Sequence, residues 1–467
     1  MAWPLRSVVR CCLATLLVAG GLNAVSAPAH AEPNLGNYYM RTANNGTEMR
    51  QRIEELDKEL PKLGVQNILA EAPHTGRTAN GVCNSNAVNE TPDPPVKFSF
   101  CWEGDDAGGS KPTYEWTPQG ITTVADAVED KAWGTEKPLI TTWYNCERRI
   151  GVDQPAECPK DNKKGVRISI IDPSTGKYAH VLLVYPFKND SGNATYMSLR
   201  TKQNAEGGSL HAGGIVWYGN YLYVADTARG LRVFDLRNIF DLKAAGDKGN
   251  TTDKGKIGRQ DGVFYGHGYR FVLPESEAYT NTVPRPAEGD RCEGTGSPTT
   301  SYVSLDRTAD RDGGTRYLLT GEYCAGREAP KDRGGRVAAW PLNRDDGMPD
   351  MNARCVADPA GGATIPCWHA TAAYAMPPGV GNIQGATRYA GSWYLAQSNG
   401  DRGTSALIKA SQPGGATGYL TKVGDSHPAA VGVEDLSHWP GSDANRSGLW
   451  TLTEHPGKRM VYLTAKP

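Results

Sequence analysis

Along most of the chain, apolar positions alternate with polar ones in short runs, each closed by a glycine, asparagine or aspartate turn. Gln119-Gly120-Ile121-Thr122 recurs as Gln384-Gly385-Ala386-Thr387, and related starts are Ala212-Gly213-Gly214-Ile215 and Glu434-Asp435-Leu436-Ser437. Three of these starts run in step to an aromatic residue two positions before a glycine: Trp217 and Gly219, Tyr389 and Gly391, Trp439 and Gly441. A second apolar run follows each turn (221–225, 393–396, 449–452), and then a third (231–236, 405–409, 459–463). Period-two runs with turn signals at such spacing predict a repeated antiparallel sheet. Two further copies fit with longer insertions, through 138–145, 166–172 and 180–186, and through 302–306, 316–322 and 336–342.

Five sets of three or four strands predict an all-β chain, a β-propeller of five blades with four antiparallel strands each. The blades span about 117–188, 208–275, 299–377, 381–424 and 430–465. The last runs out of chain after its third strand, and the strand over 96–103 is expected to supply the fourth, making 96–467 one domain. Before it, residues 32–95 read as a helix and a loop extension. Met49, Ile53, Leu56 and Leu60 keep helical spacing and Pro61 stops the helix, while 62–95 reads as loop. Residues 276–298 and 344–366 read as loop insertions.

Composition agrees with this reading. The chain has 55 glycines and 31 prolines in 467 residues, which suits many turns, and a formal net charge of −1. That charge excludes the basic field a nucleic-acid protein needs. Arg6 and Arg10, an apolar stretch and Ala29-His30-Ala31 form a secretory signal peptide over 1–31, so the expected location is extracellular. Ten cysteines less Cys11 and Cys12 leave eight, an even number that implies disulfides in an exported chain. Nearest-neighbour pairing gives Cys83–Cys101, Cys146–Cys158, Cys292–Cys324 and Cys355–Cys367.

On the stretch His211–Asp235 above all, the sequence resembles secreted bacterial β-propeller proteins. The resemblance covers most of 117–465, is architectural, and carries no catalytic motif. Five-bladed members include glycoside hydrolases, lectins and nucleotidases, so it implies a fold rather than a reaction.

In a propeller, the start of each first strand shares a rim with the end of each second strand. That rim is expected to collect Gln119, His211, Gln384, Glu434 and Asp435, with Asn145, Asp226, Glu322, Asn399, Glu454 and His455. Crowded carboxylates need a cation, a proton or a hydrogen-bond donor between them. Calcium held by carboxylate and amide oxygens would answer that need, and so would one acid of raised pKa beside a general base. No other cofactor is implied, and the metal ligands stay open.

Glu434, Asp435, Glu322, His211 and His455 are the catalytic candidates. Gln119, Asn145, Asp226, Gln384, Asn399 and Glu454 are the ligand-binding candidates, although polar residues at strand ends often serve turns instead. The expected function is a glycoside hydrolase or lyase acting on an extracellular carbohydrate. The alternatives are a non-catalytic propeller that binds a glycan or a protein, or a lactonase or phosphoesterase. The expected partner is an extracellular glycan or small molecule, with no nucleic acid, no membrane insertion after signal cleavage, and a monomeric chain.

Overall fold

The alternating runs become hydrogen-bonded strands, and helix is confined to a few short segments. The computed structural model describes residues 32–43, 46–111, 113–149, 164–202, 207–286, 292, 294–325, 334–356 and 362–467. The expected signal peptide, 1–31, lies outside the described residues, as does Cys158.

Five antiparallel sets follow one another in the chain. The first holds Thr113–Thr123, Leu139–Arg149, Val166–Ile171 and Lys177–Lys188. The second holds Ile215–Tyr218, Tyr221–Asp226, Gly230–Asp235 and Phe271–Asn281. Tyr302–Asp306, Arg316–Gly321, Arg336–Leu342 and Ala372–Ala375 form the third. Ile383–Tyr389, Ser392–Gln397, Ser405–Ser411 and Thr421–Ala429 form the fourth. The fifth holds Ser437–Trp439, Gly448–Leu452 and Val461–Thr464, and its outer neighbour is the early strand Val96–Cys101. Hydrogen bonds do not join the five into one closed sheet; a parallel pairing of Val181–Val184 with Phe271–Pro274 links the first two sets.

The first strand of each set packs beside the first strand of the next. Thr113–Thr123 touches Ile215–Tyr218, which touches Tyr302–Asp306, then Ile383–Tyr389, then Ser437–Trp439, which returns to Thr113–Thr123. Between sets lie apolar layers, with Trp143, Trp217, Trp340, Trp393 and Trp450 all fully buried.

The N-terminal helix is Gly46–Asp57, and it buries Met49, Ile53 and Leu56 against Phe271–Asn281 and Lys177–Lys188. The region 62–95 is not simply loop. It contains a helix, Val65–Ala70, and a strand, Arg77–Asn80, paired with Val96–Cys101. Both elements are too short for periodicity to reveal. The insertions also carry strand: Phe271–Asn281 runs on past 275, and Ala353–Val356 pairs with Thr364–His369 inside 344–366. Disulfides join Cys83 to Cys101, Cys292 to Cys324 and Cys355 to Cys367. Among the described residues, no helix is long and apolar enough to cross a membrane.

Candidate functional site

The recurring Gln-Gly pair has a geometric cause. The ladder shifts register between Pro118 and Ile121, and again between Ile383 and Gly385, so Gln119 and Gln384 sit at bulges. A bulge re-aims its side chain off the sheet face. The adjoining glycines are where first strands meet backbone to backbone. A Cβ on Gly120 would lie 2.7 Å from the Gly214 carbonyl carbon, one on Gly214 2.3 Å from the Val303 nitrogen, and one on Gly385 2.8 Å from the Asp435 Cα.

Asp435 stands where other copies have glycine, and its side chain turns inward among the first strands. Its Oδ2 accepts from the Ile121 amide at 3.2 Å and the Ile215 amide at 3.1 Å, tying three sets together. Burial pushes its carboxyl well above the usual range; the amide bonds oppose that shift and the Asp126 charge adds to it. Glu434 is also fully buried, and its carboxyl lies beside that of Glu454. Burial, then the charges of Glu454 and Asp435, raise its pKa well above normal.

Glu454 is the acid of this group that reaches solvent, its side chain 21% exposed. Gln119 Nε2 donates to its Oε2 at 2.7 Å, while the other Gln119 atom, Oε1, is buried without a partner. His455 Nε2 lies 3.7 Å from Glu454 Oε1. The Glu454 charge also acts on His211, whose pKa is nevertheless lowered by burial and by Arg148, so the imidazole is held neutral. His211 packs on the Tyr144 ring at 4.7 Å. These contacts and charges bring Gln119, His211, Glu434, Asp435, Glu454 and His455 into one group.

At the other end of the first strand, Asp126 accepts from Thr122 Oγ1 at 2.9 Å and from Ser437 Oγ at 2.6 Å. Burial pushes it up to about 6, against those bonds and the Arg307 charge. Ser437→Ala is expected to raise it further and to cost about 1 kcal/mol in urea unfolding.

Four other rim candidates serve the fold. Asp226 Oδ2 accepts from Arg232 Nε at 2.8 Å, and Arg232 also bonds Glu275. Both Glu322 oxygens are taken by Arg336, at 2.8 and 2.9 Å, and Oε1 also accepts from the Thr299 amide. Glu322 is therefore a structural ion-pair partner in this geometry rather than a free acid. Asn145 bridges the Glu115 carbonyl and the Lys164 amide, and exposed Asn399 donates to the Thr404 carbonyl. Gln384 is half-buried in the fourth set.

The calcium expectation does not fit these residues. Glu454 Oε2 is occupied by Gln119, Asp435 Oδ2 by two amides, and among the described residues no three His, Cys, Asp or Glu side chains are placed to hold a metal.

A second polar assembly, joined to this group through Arg459, which donates to the Glu454 and Asp106 carbonyls, lies around a cavity of about 1000 Å³. Asp106 accepts from Arg167 at 2.5 Å, Tyr178 Oη at 2.8 Å and His180 Nε2 at 3.0 Å. Burial opposes ionisation of Asp106, but Arg167 and His180 outweigh it and hold its pKa well below normal. His180 is lowered to about 4 by burial and Arg167. These residues escaped the sequence reading because they lie on third and fourth strands and on a one-turn helix, Gly104–Ala107, before Thr113. Their one signal was a charged residue inside an apolar run, as in Val166-Arg167-Ile168.

No protein-family model matches the chain, and no curated protein matches it. Among solved structures, a GH43_1 enzyme from Xanthomonas citri aligns at 11% identity and a TM-score of 0.33, covering 77% of this chain and 90% of its own. CoXyl43, a GH43 beta-xylosidase/alpha-arabinofuranosidase from a compost microbial metagenome, aligns at 12% and 0.34, covering 75% and 91%. The major Malassezia sympodialis allergen Mala s 1 aligns at 11% and 0.24, covering 69% and 89%. Likenesses this weak carry no argument about residues or reaction.

Proposed function

We propose that this is an exported, closed five-bladed propeller that cleaves an extracellular carbohydrate by acid–base chemistry at the axial mouth. The circuit of first-strand contacts and the pairing of Val96–Cys101 with Val461–Thr464 support closure. Three disulfides support export, since such bonds persist in oxidising compartments.

The observation that carries the reaction is the Glu434–Glu454 pair: a fully buried carboxyl set against one that reaches solvent. Burial and the neighbouring acids keep a proton on Glu434. Glu454 is the general acid that protonates the leaving glycosidic oxygen, and Glu434 behind it supplies the replacement proton. Gln119 fixes the Glu454 carboxyl through Oε2. Neutral His211 is the base, taking a proton from water in hydrolysis or from the sugar carbon beside a carboxylate in elimination. His455 stays at the rim of this set.

The test is turnover on a polysaccharide panel. Glu454→Gln and His211→Asn are each expected to lower cleavage by about a hundredfold with thermal unfolding unchanged. Turnover untouched by Glu454→Gln would sink the mechanism. The second reading, a non-catalytic glycan- or protein-binding propeller, is favoured by the commitment of Asp226, Glu322, Asn145 and Asn399 to internal bonds. It wins if glycans bind and none on the panel is cleaved.

A further inference from the structure

We infer that Arg148 is the carboxylate-binding residue of the Glu454 group, and that the substrate is a 1,4-linked uronic-acid glycan opened by β-elimination rather than hydrolysis. This rests on the acid–base reading and narrows it. Side chains alternate along the strand Leu139–Arg149, so Tyr144, Cys146 and Arg148 share one face while Glu147 and Arg149 lie on the other. On the first face Tyr144 packs on the His211 ring at 4.7 Å, and Arg148 Nε donates to Cys146 Sγ at 3.2 Å. Arg148 is half-buried and stands opposite Tyr114 in the ladder. Its charge acts on His211, Tyr144 and Tyr114, the same three side chains on which the Glu454 charge acts.

Arg148 has no carboxylate partner among the described residues. Glu454 is engaged by Gln119, His455 and Glu434 instead. Glu115 is matched by Lys164 at 2.6 Å. Buried Arg459 adds a second guanidinium that donates to the Glu454, Asp106 and Trp116 carbonyls, and Arg167 is held by Asp106. Three guanidiniums thus stand against two acids, Asp106 and Glu454, because Glu434 and Asp435 keep their protons. A sugar carboxylate fits the place left at Arg148, since guanidinium N–H groups meet such a group two at a time.

The same neighbours favour elimination. Glycosidases set two carboxylates about the scissile bond, whereas here the second acid, Glu434, is fully buried and protonated. The base at hand is His211, half-buried, neutral, and without a hydrogen bond from any described residue to its ring. With the substrate carboxylate on Arg148, His211 takes the proton from C5, the carbon that bears the carboxylate. The C5–H electron pair forms the C4=C5 double bond, the C4–O bond breaks, and the leaving oxygen takes the proton of Glu454. His211 then releases its proton to solvent and Glu454 regains one, so no water is consumed and nothing is oxidised or reduced. Negative charge grows on the carboxylate as C5 loses its proton, and a guanidinium already in place stabilises it.

The mature chain is tested on polygalacturonate, polymannuronate and polyglucuronate and on their carboxyl-reduced forms, by counting new reducing ends and the near-ultraviolet absorbance of unsaturated ends. At least one acidic polymer is expected to gain one unsaturated end per cut, and the reduced forms to stay intact. Arg148→Gln is expected to lower cleavage roughly a hundredfold, as the loss of a desolvated charge partner does. Arg148→Lys is expected to recover part of this, since the charge returns without the fork. Thermal unfolding checks that both variants fold, and the comparison of acidic with reduced polymers needs neither. Calorimetry of the acidic tetrasaccharides on Glu454→Gln reads binding apart from turnover, and adding Arg148→Gln is expected to weaken it at least tenfold. Reducing ends without unsaturated ends, equal cleavage of a reduced polymer, or indifference to Arg148→Gln would overturn the inference and leave the acid–base reading standing. Tetrasaccharide bound through Arg148 with no glycan cut would remove the acid–base reading and keep the carboxylate site. Absence of binding removes the site.

Discussion

Replacing Gly214 by alanine is expected to lower the stability of the fold by about 3 kcal/mol or more, the upper range for overpacking a close contact. The added methyl would lie 2.3 Å from the Val303 nitrogen and 2.9 Å from the Tyr302 carbonyl carbon, both backbone atoms that no rotamer change can move away. Relief requires the second and third first strands to separate, and that shift would spread: Asp435 is bonded to the Ile215 amide next door and to Ile121 beyond it. The control is Gly414→Ala, where nothing lies within 4 Å of the new Cβ. Such a position is expected to be neutral, or stabilising by about 0.4–1 kcal/mol through the unfolded chain. Urea midpoints of the two variants check this. Equal midpoints would mean that the first strands are not packed as described.

The same contacts explain what was legible in the sequence. The repeat itself, its apolar periodicity and the need of the last set for an outside strand were all readable, because strand pairing imposes period two and leaves an unpaired edge as a deficit. Gln119-Gly120 and Gln384-Gly385 could be seen to match, but not why. A bulge and a Cβ-free approach appear only when neighbouring sets are assembled. Glu434 and Asp435 could be singled out as acids in a Gln-Gly position. Their burial could not, since a charged pair at a strand start reads as solvated. Asp226 and Glu322 looked like equals of Glu454 because their partners Arg232 and Arg336 lie on the next strand across a turn. The cavity around Asp106 and Arg167 was illegible for a different reason: it is assembled from the N-terminal extension, residues 103–116, later strands of the first set and residues 243–271, which no local pattern connects.

The pH dependence of stability is the sharper test of the axial acids. Glu434 has a pKa raised above its unfolded value by burial and by Glu454 and Asp435. Between the unfolded carboxyl pKa, about 4.3 for Glu, and the raised folded value, the native state holds a proton that the unfolded chain has released. Stability linked to Glu434 is therefore fully present below that window and falls as pH rises through it, at about 1.4 kcal/mol per pH unit for one proton. Asp435 acts in the same direction. Asp106, depressed by Arg167 and His180 after burial is overcome, acts in the opposite sense, losing stability only as pH falls below the usual Asp range.

Glu434→Gln removes one titrating proton while keeping the shape of the side chain. Its unfolding free energy, measured in urea from pH 4.5 to 8, is expected to decline less steeply than that of the wild type by about 1.4 kcal/mol per pH unit within the window. The variant is expected to be the more stable protein at neutral pH, and to lose activity because Glu454 no longer has a proton behind it. Parallel pH profiles for the two proteins would show that Glu434 does not titrate with folding, and its role as proton donor behind Glu454 would fall with that result. A parallel profile together with full activity would leave Glu454 acting without Glu434, held by Gln119.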